Sequence, residues 1–170
     1  FVLFFACGLV NNKFIDLLRY RVDLLFCPVS YLEEKFKNFD KDFIKFIIEE
    51  EGPNKDKFDI KTRALMPLLD GARLLILSYN VKGINNTYLR FKQLAITDPK
   101  HSEIYLNCAE AFLTLSKFRT LEGLKNDDSG QFMNLNEFTK VDKEKLKNAF
   151  APMKELEELI KSKFQLTQFS

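Results

Sequence analysis

The chain has 170 residues, of which 46% are hydrophobic and 29% are charged, and these proportions exclude a disordered protein. A formal net charge of +2 gives no basic footprint, so we expect no nucleic-acid partner. Three widely spaced cysteines and a single histidine exclude a disulfide framework and a zinc site. The odd number of cysteines also indicates a reducing compartment, and we expect a cytoplasmic protein.

The first third of the chain predicts helices that belong with another domain. Residues 1–10 are apolar, but this run is about half of the roughly 20 residues that a membrane span needs, and it lacks the features of a signal peptide. We therefore expect a buried helix and no membrane partner. Residues 14–27 have helical periodicity, and Pro28 ends that helix. We assign residues 1–57 to N-terminal helices that pack on, or link to, an absent upstream domain.

The remaining residues, 58–170, predict a second group of helices, which we expect to form one compact unit with the first. A long apolar helix is predicted over residues 59–80, with Pro67 in its middle, where it would open the backbone. Asn86 or Thr87 is expected to cap the next helix, because both side chains are good N-terminal caps.

Two further helices complete the predicted fold. Asp98 is the expected N-cap of a helix over residues 99–124, since an Asp-Pro pair is typical of a helix start. A capping box at Thr139 and Asp142 predicts the start of a last amphipathic helix, which runs up to about residue 164 with a kink at Pro152. Strand-like alternation is absent, so we predict an all-α bundle of about five to seven helices.

Several charged side chains lie in apolar surroundings and are candidates for a binding site. Arg63 and Asp70 are seven residues apart, on one stripe of an α-helix, and Asp70 is three residues before Arg73. Such charges are costly to bury unless paired, which predicts a buried or half-buried ion network. That network is either a structural brace or a clamp for a phosphate or carboxylate. The full candidate set is Lys61, Arg63, Asp70, Arg73, Arg90 and Arg119.

Residues 58–75, which read FDIKTRALMPLLDGARLL, resemble the signature of the putative nucleotidyltransferase substrate-binding domain family. The resemblance covers about residues 14–166 and is strongest from residue 58 onward. Further matching segments follow in the family's order, at residues 86–90, 111–119, 134–139 and 146–150.

This resemblance implies a helical bundle that works beside a nucleotidyltransferase domain of the same polypeptide, related to the protein uridylyltransferases. Such a catalytic domain uses a Gly-Ser pair followed by spaced aspartates that hold Mg²⁺ for transfer from a nucleoside triphosphate. The present sequence has no Gly-Ser pair, so we expect no catalytic residue in this chain and no transfer by it alone. The resemblance also implies a signalling protein, often with CBS or cyclic-nucleotide-binding domains, and a cleft lined by the six candidate side chains.

A second hypothesis is a purely structural or interaction module without a small-molecule site. Its docking surface would be the apolar face of residues 1–27, either toward an upstream domain or toward a second copy in a homodimer.

Overall fold

Residues 54–164 of the chain are described by a computed structural model. The predictions for the N-terminal helices and for the apolar face of residues 1–27 lie outside the described residues. Within them the predicted all-α class is confirmed, while the count of five to seven helices referred to the whole chain. The described α-helices are α1 (Met66–Ser78), α2 (Thr87–Thr97), α3 (Ser102–Asn126), α4 (Lys140–Asn148) and α5 (Ala151–Lys163).

A short antiparallel ribbon, which the sequence analysis did not predict, joins the segment before α1 to the segment after α3. It pairs β1 (Phe58–Asp59) with β2 (Phe132–Met133), and two residues per strand are too few to show alternation. The carboxylate of Asp59 accepts a hydrogen bond from the Thr62 backbone amide (2.9 Å) and one from Gln131 Nε2 (2.9 Å). The ribbon therefore ties the start of the first helix to a segment that follows α3.

The helix that was predicted over residues 59–80 is not uniform. Lys61–Leu65 form a π-helical turn, which Met66 closes by donating its amide hydrogen to the carbonyl of Lys61. Pro67 has no amide hydrogen, and its ring would clash with the carbonyl four residues earlier in an α-helix. The wider turn relieves that clash, so Pro67 lies in the first turn of α1 and not in the middle of a continuous α-helix.

Gly71 allows α1 and α5 to approach closely. A Cβ atom at this position would lie 2.9 Å from Leu156 Cδ2 and 3.4 Å from Ile160 Cδ1. The helices pack around one apolar core, with the most extensive helix–helix contact between α2 and α3. Fully buried members of the core include Leu68, Leu75, Phe91, Leu94, Tyr105, Cys108, Leu115, Leu156 and Ile160.

The side chain of Asp98 is a hydrogen-bond acceptor between helices. Asp98 stands at the predicted N-cap position, directly before the helical turn Pro99–His101, but its side chain forms no cap hydrogen bond there. Its Oδ2 atom instead accepts from Tyr79 Oη (2.7 Å) and Tyr105 Oη (2.9 Å), and lies 2.8 Å from Nδ1 of His101. Asp98 thereby joins the end of α1 to the start of α3.

A tight turn after α3 folds back onto that helix. Asp127 has a left-handed backbone (φ 52°), as does Gly130 (φ 62°). A Cβ atom at Gly130 would lie only 1.9 Å from the carbonyl oxygen of Arg119, so no other residue fits there without movement of the backbone. Arg119 Nε donates to the carbonyl of Ser129 (3.1 Å), and Asp128 Oδ1 accepts from the Gly130 amide (2.6 Å).

The predicted last helix is two helices. Thr139 caps α4, since its Oγ1 accepts from the Asp142 amide (3.1 Å). The helical path is interrupted at Ala149 and Phe150, and Pro152 lies in the first turn of α5. Proline is well suited to a first turn, so it begins a new helix here instead of kinking an existing one.

We predict that Asp98→Asn lowers the free energy of unfolding and reduces its dependence on acid pH. Burial alone raises the pKa of Asp98, but hydrogen bonds from Tyr79, His101 and Tyr105 outweigh it and lower the pKa from 3.8 to about 2. A depressed pKa stabilises the fold above pH 4 and the effect is lost as the pH falls toward 2. A shift of this size corresponds to about 2 kcal/mol.

Urea unfolding of both proteins between pH 7 and pH 2 measures this contribution. Because the pKa of Asp98 is lowered in the folded state, the difference in free energy of unfolding between the two proteins should shrink by about 2 kcal/mol as the pH falls. Parallel curves would show that the Asp98 hydrogen bonds do not stabilise the fold.

We also predict that Gly130→Ala destabilises the protein by several times as much as Gly83→Ala. Both glycines have positive φ angles, so both substitutions incur backbone strain of about 1 kcal/mol. No atom lies within 4 Å of a Cβ at Gly83, whereas at Gly130 the Cβ meets the backbone of Arg119. Equal losses in urea unfolding would mean that the turn moves away from α3 without cost.

Candidate functional site

A cleft has two walls. The π-helical turn and the start of α1 form one wall, and α3 from Phe112 onward forms the other. The turn after α3 also lines the cleft. Its volume is about 670 Å³, within the range of about 300–1,000 Å³ that is usual for small-molecule sites. Apolar side chains contribute much of the lining, and these are Leu65, Met66, Leu69, Phe112 and Leu124.

The polar lining of the cleft contains charges of both signs and several hydroxyl groups. The cations are Lys61, from the π-helical turn, and Arg119, from α3. The turn after α3 contributes two carboxylates and the Ser129 hydroxyl, and α3 adds the hydroxyl groups of Ser116 and Thr120. The cleft can therefore bind anionic groups and hydrogen-bond donors next to an apolar surface.

The Arg119 side chain is positioned by a hydrogen bond to the backbone. Its Nε–H is held by the carbonyl of Ser129, which leaves both terminal nitrogens as donors. In the described part of the chain, neither Arg119 nor Lys61 forms an ion pair. A half-buried guanidinium fixed in this way can bind a phosphate or carboxylate with little further loss of side-chain freedom.

Of the six charged residues that the sequence analysis proposed, only Lys61 and Arg119 line this cleft. Asp70 pairs with Arg73 at 3.3 Å on the surface of α1, where the Arg73 side chain is 54% exposed. The structure therefore shows a surface pair within one helix, in place of the buried network that the spacing predicted. An exposed pair of this kind contributes little to stability.

The remaining two candidates lie apart from the cleft lining. Arg63 is half-buried in the π-helical turn, whose wider geometry removes the common stripe with Asp70 that an α-helix would give. Arg90 donates from Nε to the carbonyl of Ile84 (2.9 Å), and so ties α2 to the loop before it. This contact gives Arg90 a structural role.

Sequence reasoning missed the two carboxylates of the cleft. Asp127 and Asp128 belong to residues 126–130, whose Asn-Asp-Asp-Ser-Gly composition is typical of a turn. Turn composition gives no indication of which distant element the turn will face. It is the backbone contact between Gly130 and Arg119 that places these carboxylates beside a cation.

Among residues 54–164, no three histidine, cysteine, aspartate or glutamate side chains come together closely enough to hold a metal ion. Over the same residues, no helix is both long enough and apolar enough to cross a membrane. Cys108 is fully buried in the core, and its burial raises the pKa of the thiol, which disfavours the reactive thiolate.

Comparison with protein families supports the resemblance seen in the sequence. The family model described as "Putative nucleotidyltransferase substrate binding domain" matches residues 36–164, which is more than half of the chain. Neither a search of curated proteins nor a search of solved structures found a match. The matched range contains both walls of the cleft and the turn after α3. On this match, the chain belongs to the family of putative nucleotidyltransferase substrate-binding domains.

Proposed function

We propose that the cleft holds the substrate of a nucleotidyltransferase domain, and that Lys61 and Arg119 bind an anionic group of that substrate. The observation that carries this proposal is the presence of two cations without ion-pair partners among the described residues, in a cleft of small-molecule size. Membership of a substrate-binding family supports the same role.

In this proposal the chain positions a substrate and does not transform it. The sequence contains no Gly-Ser pair from which the catalytic pattern of such transferases could be built. Mg²⁺ and the nucleoside triphosphate would then be bound by a separate catalytic domain of the same polypeptide. Holding the acceptor in a fixed geometry is itself a large contribution to rate, because it converts an encounter of two molecules into a reaction within one complex.

The proposal extends to the biological setting that the family resemblance implies. The complete protein would be a cytoplasmic signalling protein of the uridylyltransferase type, whose transferase activity is regulated through CBS or cyclic-nucleotide-binding domains.

An interaction module without a small-molecule site is the second candidate. From Leu113 onward, α3 exposes three leucines, Leu113, Leu121 and Leu124, of which Leu124 is 76% exposed. Exposed apolar side chains that lie near one another are typical of protein contacts. Light scattering as a function of concentration distinguishes the two candidates, because self-association through α3 would raise the mass with concentration.

The first experiment on this proposal is to read the coding sequence upstream of Phe1. We expect a domain with a Gly-Ser pair followed by two spaced aspartates. A frame that begins directly before Phe1 would contradict a catalytic partner in the same polypeptide and favour the interaction module.

In the complete protein, we predict that Lys61→Ala together with Arg119→Ala lowers kcat/KM for transfer at least about 100-fold. Each lost hydrogen bond to a charged group contributes about 1.5–3 kcal/mol, and about 1.4 kcal/mol corresponds to a factor of ten. The matched control is Arg73→Ala with Lys100→Ala, which removes the same charge from exposed positions that do not line the cleft.

Transfer is measured with Mg²⁺ and labelled nucleoside triphosphate, and stability by urea unfolding of each variant. The cleft variant should lose activity while it stays folded, with a loss of stability of about 1 kcal/mol from the missing hydrogen bond between Arg119 and Ser129. Equal activity in the two double variants would contradict a role for the cleft in substrate binding.

A further inference from the structure

The four charged side chains of the cleft are not paired with one another. No ion pair within 4 Å joins Lys61 or Arg119 to Asp127 or Asp128, although all four line the same cleft. Two positive and two negative groups are therefore offered to a ligand, with a formal sum of zero.

The negative groups are supported by the backbone. Asp127 is the C-terminal cap residue of α3, a helix of 25 residues, and its left-handed backbone ends that helix. A helix C-terminus carries a partial negative charge, which adds to the two carboxylates in favouring a cation. Within residues 54–164, the Asp127 side chain has no hydrogen bond or ion pair, so its carboxylate is available to a ligand.

The apolar lining distinguishes this cleft from a surface that binds only ions. Leu65 and Leu69 on one wall face Phe112 and Leu124 on the other. Contact with this lining removes apolar surface of a ligand from water, which stabilises binding in proportion to the area buried. A ligand that satisfies the whole cleft therefore has an apolar body, an anionic group and a cationic group.

We propose that this cleft selects a small zwitterion of the α-amino-acid type with a large apolar side chain, as the substrate of the proposed substrate-binding site. Its carboxylate would bind Lys61 and Arg119, its ammonium group would bind Asp127 and Asp128, and its side chain would contact the apolar lining. This inference rests on the proposed function, because it names the ligand of the same cleft.

The same charges disfavour a nucleoside triphosphate in the cleft. A triphosphate carries about four negative charges, and carboxylates within the same cleft repel such a group while two cations cannot neutralise it. This cleft is therefore complementary to the second substrate of a transferase and not to its nucleotide donor.

The test is calorimetric titration of the 170-residue chain with three matched probes at pH 7. L-Phenylalanine has both charges, 3-phenylpropanoate lacks the ammonium group, and phenethylamine lacks the carboxylate. We expect L-phenylalanine to bind at least about ten-fold more tightly than either analogue, since each charged hydrogen bond exceeds the energy of a ten-fold change.

Two sets of variants assign the preferences to the two sides of the cleft. Asp127→Asn with Asp128→Asn should remove the preference over 3-phenylpropanoate, and Lys61→Ala with Arg119→Ala should remove the preference over phenethylamine. Asparagine tolerates the left-handed backbone at Asp127 and retains an acceptor at Asp128, so the turn is preserved. Asp56→Asn is the matched control, because Asp56 is exposed, has φ 65° and does not line the cleft.

Three results would each overturn the inference. These are equal binding of all three probes, tighter binding of ATP than of L-phenylalanine, or no binding of any probe at concentrations up to roughly 10 mM. Its failure is separable from that of the proposed function. If the probes fail while Lys61→Ala with Arg119→Ala still abolishes transfer by the complete protein, the site stands and only its ligand class is wrong.

Discussion

The cleft depends on two contacts between distant segments: the hydrogen bond from Gln131 to the buried carboxylate of Asp59, and the close contact of Gly130 with Arg119. The first joins residues that are 72 positions apart, and it lies directly beside the ribbon of β1 and β2. Through it the π-helical turn that carries Lys61 is held next to the turn that carries Asp127. Burying the Asp59 carboxylate without hydrogen-bond partners would lower the stability of the fold, so the carboxylate favours the arrangement in which Gln131 lies beside it.

The cleft is built from irregular backbone on a regular scaffold. The α-helices supply the core, while the cleft lies where a π-helical turn meets a turn with left-handed residues. Both irregular segments have an identifiable cause, which is Pro67 in the first case and the absence of a Cβ atom at Gly130 in the second. Irregular backbone of this kind is often found at functional sites, where it directs side chains that a continuous helix would place elsewhere.

Local signals in the sequence predicted the helices well, and contacts between distant segments less well. The caps at Asn86 and Thr139 were predicted correctly, because a cap depends on the next three residues alone. Asp98 has the same local pattern, but Tyr79 and Tyr105 compete for its carboxylate, and only the tertiary fold decides that competition. Likewise, Lys61 and Arg119 were both candidates, yet their common cleft depends on contacts across the chain that no spacing reports.

The ribbon between β1 and β2 also has a consequence for the order of folding. The α2–α3 pair is joined by a short connection, so its contacts form after the closure of a small loop. The ribbon closes a loop of more than 70 residues, and contacts of such sequence separation are slow to form because the loss of chain entropy precedes them. The cleft is therefore completed late in folding, after the helical pair that supports it.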